Sequence, residues 1–179
     1  RKIPFSKELF IEKEDFQEKT GESFFRLSLG NEVRLKNAYI IKAKEIIRDE
    51  EGNIKHIVCT YDYLSKSGTG SIESKRKVKS TIHWVCSKKA NEIIVNQYDT
   101  LFLVPDPDKQ EDFIKHLNPN SLIKRNGFIE PYGAALKPGE RVQFQRQGYF
   151  ITDKTKQDGK RVFNKTTGLR DSFKQKKKA

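Results

Sequence analysis

Three histidines, two cysteines and 24 acidic residues make up the chain's stock of catalytic groups, and their spacing gathers few of them together. His56, His83 and His116 stand too far apart for local ligand spacing, and Cys59 and Cys86 form no C-x-x-C pair, so no metal site is expected. Ser67-Gly68-Thr69-Gly70-Ser71 lacks the G-x-x-x-x-G-K-[ST] spacing that cradles phosphates and reads as a hairpin tip with no helix after it. Asp15, Glu45 and Asp153 are scattered among Lys and Arg, with nothing to pair carboxylates across an apolar pocket for acid-base work. Asn164-Lys165-Thr166 fits a glycosylation acceptor, but the chain gives no secretory context for it. No catalytic residue is expected here.

The groups that remain are cations in rows. Along Gly30 to Glu45, Val33, Leu35, Tyr39, Ile41 and Ala43 alternate with Arg34, Lys36, Lys42 and Lys44, the period of a β-strand. One face can join a core, and the other offers positive charge to an anionic ligand. Lys77 to Val85 repeats the pattern, with Val78, Ile82 and Trp84 against Lys77, Lys79, Thr81 and His83. Such faces suit nucleic-acid binding better than catalysis.

The elements that must position these rows read as strands: Glu8 to Ile11, Phe24 to Leu29, Glu32 to Lys44, Ile54 to Tyr61, Lys77 to Val85, Glu92 to Tyr98, Thr100 to Val104, Val142 to Gln145, Tyr149 to Thr152 and Arg161 to Phe163. Gly, Pro, Asn and Asp clusters separate them. Two short helices are predicted, at Glu14 to Lys19 and Gln110 to Leu117. The spacing predicts an all-β chain of two small antiparallel β-barrels, a first over 1–96 and a second over 97–179, the C-terminal strand returning to the first. The tail Lys174 to Ala179 is a charge run expected to be disordered.

Composition agrees. The formal net charge of +12 over 179 residues is the footprint of a phosphate-binding protein, although a solubilising surface would give the same number. With 35% hydrophobic and 11% aromatic residues, the chain has material for folded cores. No apolar run reaches the roughly 18 residues of a membrane span, and 1–7 has no signal-peptide core, so a cytoplasmic location is expected and no membrane partner. The cysteines read as small buried apolar groups. A start at Arg1 and the lack of Met suggest a fragment of a longer protein.

Seven blocks, in order, resemble the C-terminal region of bacterial glutaminyl-tRNA synthetases: I-P-F-S-K-E-L-F-I-E-K-E-D-F from Ile3, G-N-E-V-R-L-K-N-A-Y from Gly30, K-V-K-S-T-I-H-W-V from Lys77, Y-D-T-L-F from Tyr98, L-N-P-N-S-L from Leu117, Q-F-Q-R-Q-G-Y-F-I-T-D from Gln143 and V-F-N-K-T-T-G-L-R-D from Val162. The resemblance implies a class I aminoacyl-tRNA synthetase whose N-terminal catalytic domain, on the same polypeptide, attaches glutamine to tRNA with ATP and Mg. Its C-terminal part forms proximal and distal anticodon-binding barrels similar to ribosomal-protein barrels. The signature motifs H-I-G-H and K-M-S-K-S are absent, so this chain alone is expected to be inactive and to hold no cofactor. The implied partner is the anticodon loop of glutamine tRNA, bound by a monomer.

By the same resemblance, Arg26 helps hold the third anticodon base, a guanine. Arg34 and Lys36 lie around the first base and its phosphate, and Gln143 and Arg146 around the middle uridine. Arg34 and Lys36 share one strand face, and Arg26 opposes Phe25, Leu27 and Leu29. Phe25 departs from the family, which tends to carry a basic residue there; a stacking or core role is open to it. Gln143 and Arg146 are three apart, opposite in a regular strand, so a bulge or a turn favoured by Gly148 must re-aim one. Without the family match, Arg26 and Arg34 read as salt-bridge partners of Glu22 or Glu32. A general RNA-binding barrel, a glutamyl-tRNA synthetase and a module with a merely solubilising charge are the other readings.

Overall fold

The computed structural model describes residues 2–19, 21 and 23–169, and it divides into two compact units, Pro4–Lys88 and, with Arg1–Ile3, Lys89 onward. In the first lie β1 (Leu9–Ile11), β2 (Glu32–Leu35), β3 (Ile40–Arg48), β4 (Ile54–Asp62), β5 (Thr81–Ile82) and β6 (Trp84–Cys86), with a one-turn helix α1 (Ile72–Lys75). In the second lie β7 (Asn91–Tyr98), β8 (Leu122–Ile129), β9 (Arg141–Phe144), β10 (Gly148–Gln157) and β11 (Lys160–Thr167), with α2 (Pro131–Ala134). The chain is mostly β. The division lies between Lys88 and Lys89, so all of β7 belongs to the second unit, where a division at 96/97 would cut it.

The first unit's larger sheet has the order β4-β3-β2-β5, with β2 and β5 parallel, and β1 pairs β6. The single strand expected over Glu32 to Lys44 is a hairpin. Asn37 sits at φ 58, in the left-handed region that Asn tolerates, and the amide of Leu35 donates to the carbonyl of Tyr39 at 2.9 Å. Register pairs Glu32 with Lys42, Val33 with Ile41 and Arg34 with Ile40. Every pair joins residues of like parity, so the alternation passes through the turn unbroken and imitates one long strand. Val33, Leu35, Ile41, Ala43 and Ile82 form the core with Leu27.

The second unit's sheet has the order β8-β7-β11-β10-β9, with β7 and β11 parallel. One face carries the core of Ile93, Ile129, Phe150 and Phe163, against which Val142 and Phe144 pack. β8 was not expected: K-R-N-G interrupts its apolar residues, and only Ile129 in it is buried, yet it pairs with β7 along its whole length. Thr100 to Val104 keeps a single bridge, Phe102 to Leu117, and Phe24 to Leu29 keeps two, from Leu27 and Leu29. Lys77 to Val85 contracts to β5 and β6. The expected helices are single 3-10 turns at Lys13–Asp15 and Phe113–His116.

Among the described residues no ladder closes a sheet on itself. The last strand described, β11, stays within the second unit's sheet; the charged tail and any strand returning to the first unit lie outside the described residues. No described helix is long and apolar enough to cross a membrane.

Candidate nucleic-acid interface

Both candidate arginines of the first unit, Arg26 and Arg34, are held by internal partners. Arg26 immediately precedes Leu27, which bridges to Phe16, and its guanidinium meets the Asp15 carboxylate at 2.9 Å. Asp15 is fully buried while 40% of the Arg26 side chain is exposed, so a buried anchor aims a cation outward. Glu32, one of the two partners expected from sequence, pairs with Arg76 instead, and Glu22, the other, lies outside the described residues. Phe25 beside it is 54% exposed, which removes it from the core.

Arg34 is turned inward. Its guanidinium donates to the carbonyls of Ser65 at 2.7 Å and of Ser74 and Arg76, each at 3.0 Å, with a longer contact to the Ser67 hydroxyl. These acceptors lie on the connector from β4 to β5, which therefore covers the sheet face carrying Arg34. Arg76 ties the same connector to Glu32 and Asp62, and the Ser65 hydroxyl receives the amide of Ile40. The row of cations expected on that face is thus broken: Arg34 is committed, whereas Lys44 stays exposed. Lys36 is exposed in the hairpin turn, fixed through its backbone, whose carbonyl accepts the Trp84 indole N–H at 2.9 Å.

In the second unit the tight hairpin between β9 and β10 carries Gln143 and Arg146. Phe144 pairs with Gly148, leaving Gln145, Arg146 and Gln147 as the loop, and Arg146 adopts φ 71. The turn therefore re-aims Arg146, and the parity rule that separated it from Gln143 does not apply. Gly148 permits this geometry: at φ +138 a Cβ there would stand 2.5 Å from the carbonyl oxygen of Thr167.

Gln143 shares its face of the sheet with Tyr149, Arg141 and Ile151 by cross-strand register, and Ile151 pairs onward with Asn164. Amides and hydroxyls stitch that face together. The Asn164 carbonyl oxygen accepts from Asn96 at 2.8 Å and from the Tyr98 hydroxyl at 3.1 Å, while its amide donates to Asp153 at 2.7 Å. The amide of Thr155 first, then Asn164 and the Thr155 hydroxyl, hold the Asp153 carboxyl below its usual 3.8. A carboxylate held low lends stability above its unfolded pKa and loses it as pH falls through the folded value. The stability gap between this chain and Asp153→Ala should thus hold steady from about pH 8 to about pH 5 and shrink below about 3.8 in pH-dependent urea melts. A gap that widens with acid would refute the assignment.

Among the described residues no three of His, Cys, Asp and Glu gather as a metal site would require. Burial pushes the Cys59 thiol up to about 11, so it is protonated at neutral pH. Ser67 to Ser71 is followed by a helix after all, α1, but its four residues make only one turn, and the Ser71 hydroxyl already caps the amide of Ser74. The connector's partners gave no sequence signal, because backbone carbonyls accept from Arg34 whatever residue carries them.

The family described as "tRNA synthetases class I (E and Q), anti-codon binding domain" matches residues 1–62 and, in a second form, 81–153. Proteins named Glutamine--tRNA ligase are similar over 97% of the chain: 45% identical over 176 residues in Rhodopirellula baltica, 45% over 176 in Serratia proteamaculans and 47% over 174 in Vibrio campbellii. The chain spans only 29% of the first of these relatives and 31% of the other two.

Proposed function

Because the chain belongs to the anticodon-binding domain family of class I (E and Q) tRNA synthetases, we propose that it is the part of a glutamine--tRNA ligase that grips the anticodon loop of glutamine tRNA. One observation carries this reading: relatives of that name align along 97% of the chain, through both units and both sets of candidate residues. The same names favour glutamine over glutamate within a family that serves both. Attachment of glutamine, with ATP and Mg, falls to the N-terminal catalytic domain of the same polypeptide. Each unit works as a small β-barrel, the isolated bridges at Leu27 and Leu29 supplementing the open ladders of the first. The complete enzyme acts in the cytoplasm, as a monomer.

The division of labour follows from what each contact can supply. Lysines neutralise phosphates and give affinity that decays with salt, with a slope of about 0.7 per single-strand phosphate. Discrimination comes from groups that bond the exposed edges of unstacked bases, about 1 to 3 kcal/mol per base. Arg26, oriented by Asp15, meets the third base; Lys36 meets the first; Gln143 and Arg146 meet the middle uridine. Arg34 serves the first pocket as a positioning residue, through the connector it holds.

Competition among synthetic anticodon stem-loops at fixed salt tests the proposal. The glutamine stem-loop should outcompete one with its middle base changed by about tenfold or more, and a glutamate stem-loop should compete less well than the glutamine one. Equal competition by all of them would leave a general RNA-binding protein, and preference for the glutamate loop would transfer the chain to the other branch of the family.

A further inference from the structure

Resting on the reading that Gln143 and Arg146 meet the middle anticodon base, we propose that Tyr149 is a further base-binding residue: the platform on which that base stacks. Tyr149 lies directly opposite Gln143 in the ladder of β9 and β10, so the two side chains leave the same face, with Cβ atoms about 5 Å apart. Their neighbours in the strands, Val142, Phe144 and Phe150, point the other way into the core. Tyr149 is 46% exposed although Phe150 next to it is 2% exposed, and its ring makes no aromatic contact among the described residues. Tyr98, on the same face, sits two strands further on and has its hydroxyl committed to Asn164.

The physical need for such a group is specific. A glutamine amide bonds a base edge in the plane of the ring, and in water those bonds are exchanged for solvent bonds at small net gain. Both faces of the base remain uncovered until something stacks on one. An aromatic side chain supplies that contact with two rotatable bonds to order, and any base with a π-face qualifies. The Tyr149 backbone is pinned, since its carbonyl accepts the Thr166 hydroxyl at 3.1 Å and Gly148 precedes it in the fixed hairpin. Arg141, opposite Ile151 on the same face, adds the positive charge that suits the flanking phosphate.

The test pairs protein variants with two versions of the glutamine anticodon stem-loop, one intact and one abasic at the middle position. Tyr149→Ala should weaken binding of the intact loop about tenfold or more and leave the abasic loop unaffected, while Tyr149→Phe binds both like the parent chain. Equal losses on the two loops would overturn the proposal and reduce Tyr149 to a support of the hairpin; so would an unchanged Tyr149→Ala. In both cases a retained loss in Gln143→Ala, confined to the intact loop, would keep the anticodon reading alive. If the parent chain itself binds intact and abasic loops equally, the anticodon reading fails and the platform fails with it. Thermal melts by circular dichroism verify that each variant is folded at the assay temperature.

Discussion

Arg34→Ala is expected to destabilise the first unit by about 3 kcal/mol and to weaken cognate anticodon binding more than binding of an unrelated RNA hairpin. The stability loss follows from the connector. One guanidinium gathers carbonyls from Ser65, Ser74 and Arg76, residues that no regular ladder brings together. Its removal leaves charge-assisted bonds unmade and the Ser65 hydroxyl, which receives the amide of Ile40, without its neighbouring clamp. Some of these acceptors reach water once released, so the loss stays well below the sum of the separate bonds. Arg34→Lys should recover less than half of it, because a single ammonium cannot span acceptors that the planar fork reaches together. Trp84, the chain's one tryptophan, is hydrogen-bonded to the Lys36 carbonyl two residues from Arg34 and reports this unit in urea melts. RNA binding, measured where each variant is folded, separates the roles. If Arg34→Lys restores affinity while stability stays low, Arg34 contacts the RNA; if affinity follows stability, it positions the connector. Equal losses on cognate and unrelated RNA would make it a mere source of charge.

How far the chain could be read from its sequence depended on what kind of partner each residue has. The core strands were legible because burial imposes a period of two, and Val33, Leu35, Ile41 and Ala43 kept that period even across a turn the pattern hid. Family membership was legible because its blocks are long and collinear. The environment of Arg34 was not, since its acceptors are main-chain atoms of a Ser-rich connector. Arg26 was half legible: its exposure followed from alternation, but its partner Asp15 comes from a 3-10 turn that local propensity reads as a longer helix. The Gln143 to Arg146 conflict held in the sequence its own resolution, for Gly148 marks the close backbone approach that makes the hairpin turn possible. β8 escaped notice because seven of its eight residues are not buried, and only pairing with β7 defines it.

Phe163→Ala is expected to be the most damaging single change, removing the middle-base recognition proposed for this unit by melting its sheet. Phe163 is fully buried on β11, between β7 and β10, and its ring lies 5.1 Å from Phe144, which stacks on Phe150 at 4.4 Å. Truncating a core Phe costs about 3 to 5 kcal/mol, since the cavity cannot close without moving its neighbours. A unit of this size has stability near the low end of about 5 to 15 kcal/mol, so the loss takes most of it. Its transition should drop by about 15 °C or more. The hairpin of β9 and β10 is pinned to the core through Phe144 and Phe150, so Gln143 and Tyr149 lose their shared face, and Arg146 the turn that holds it, when the core loosens. Phe163→Leu, which keeps most of the volume, should lose far less and retain discrimination. The measurement is far-UV circular dichroism beside stem-loop competition. Wild-type discrimination of the middle base in Phe163→Ala, at a temperature where the dichroism shows this sheet melted, would mean that the reading groups are not built on it.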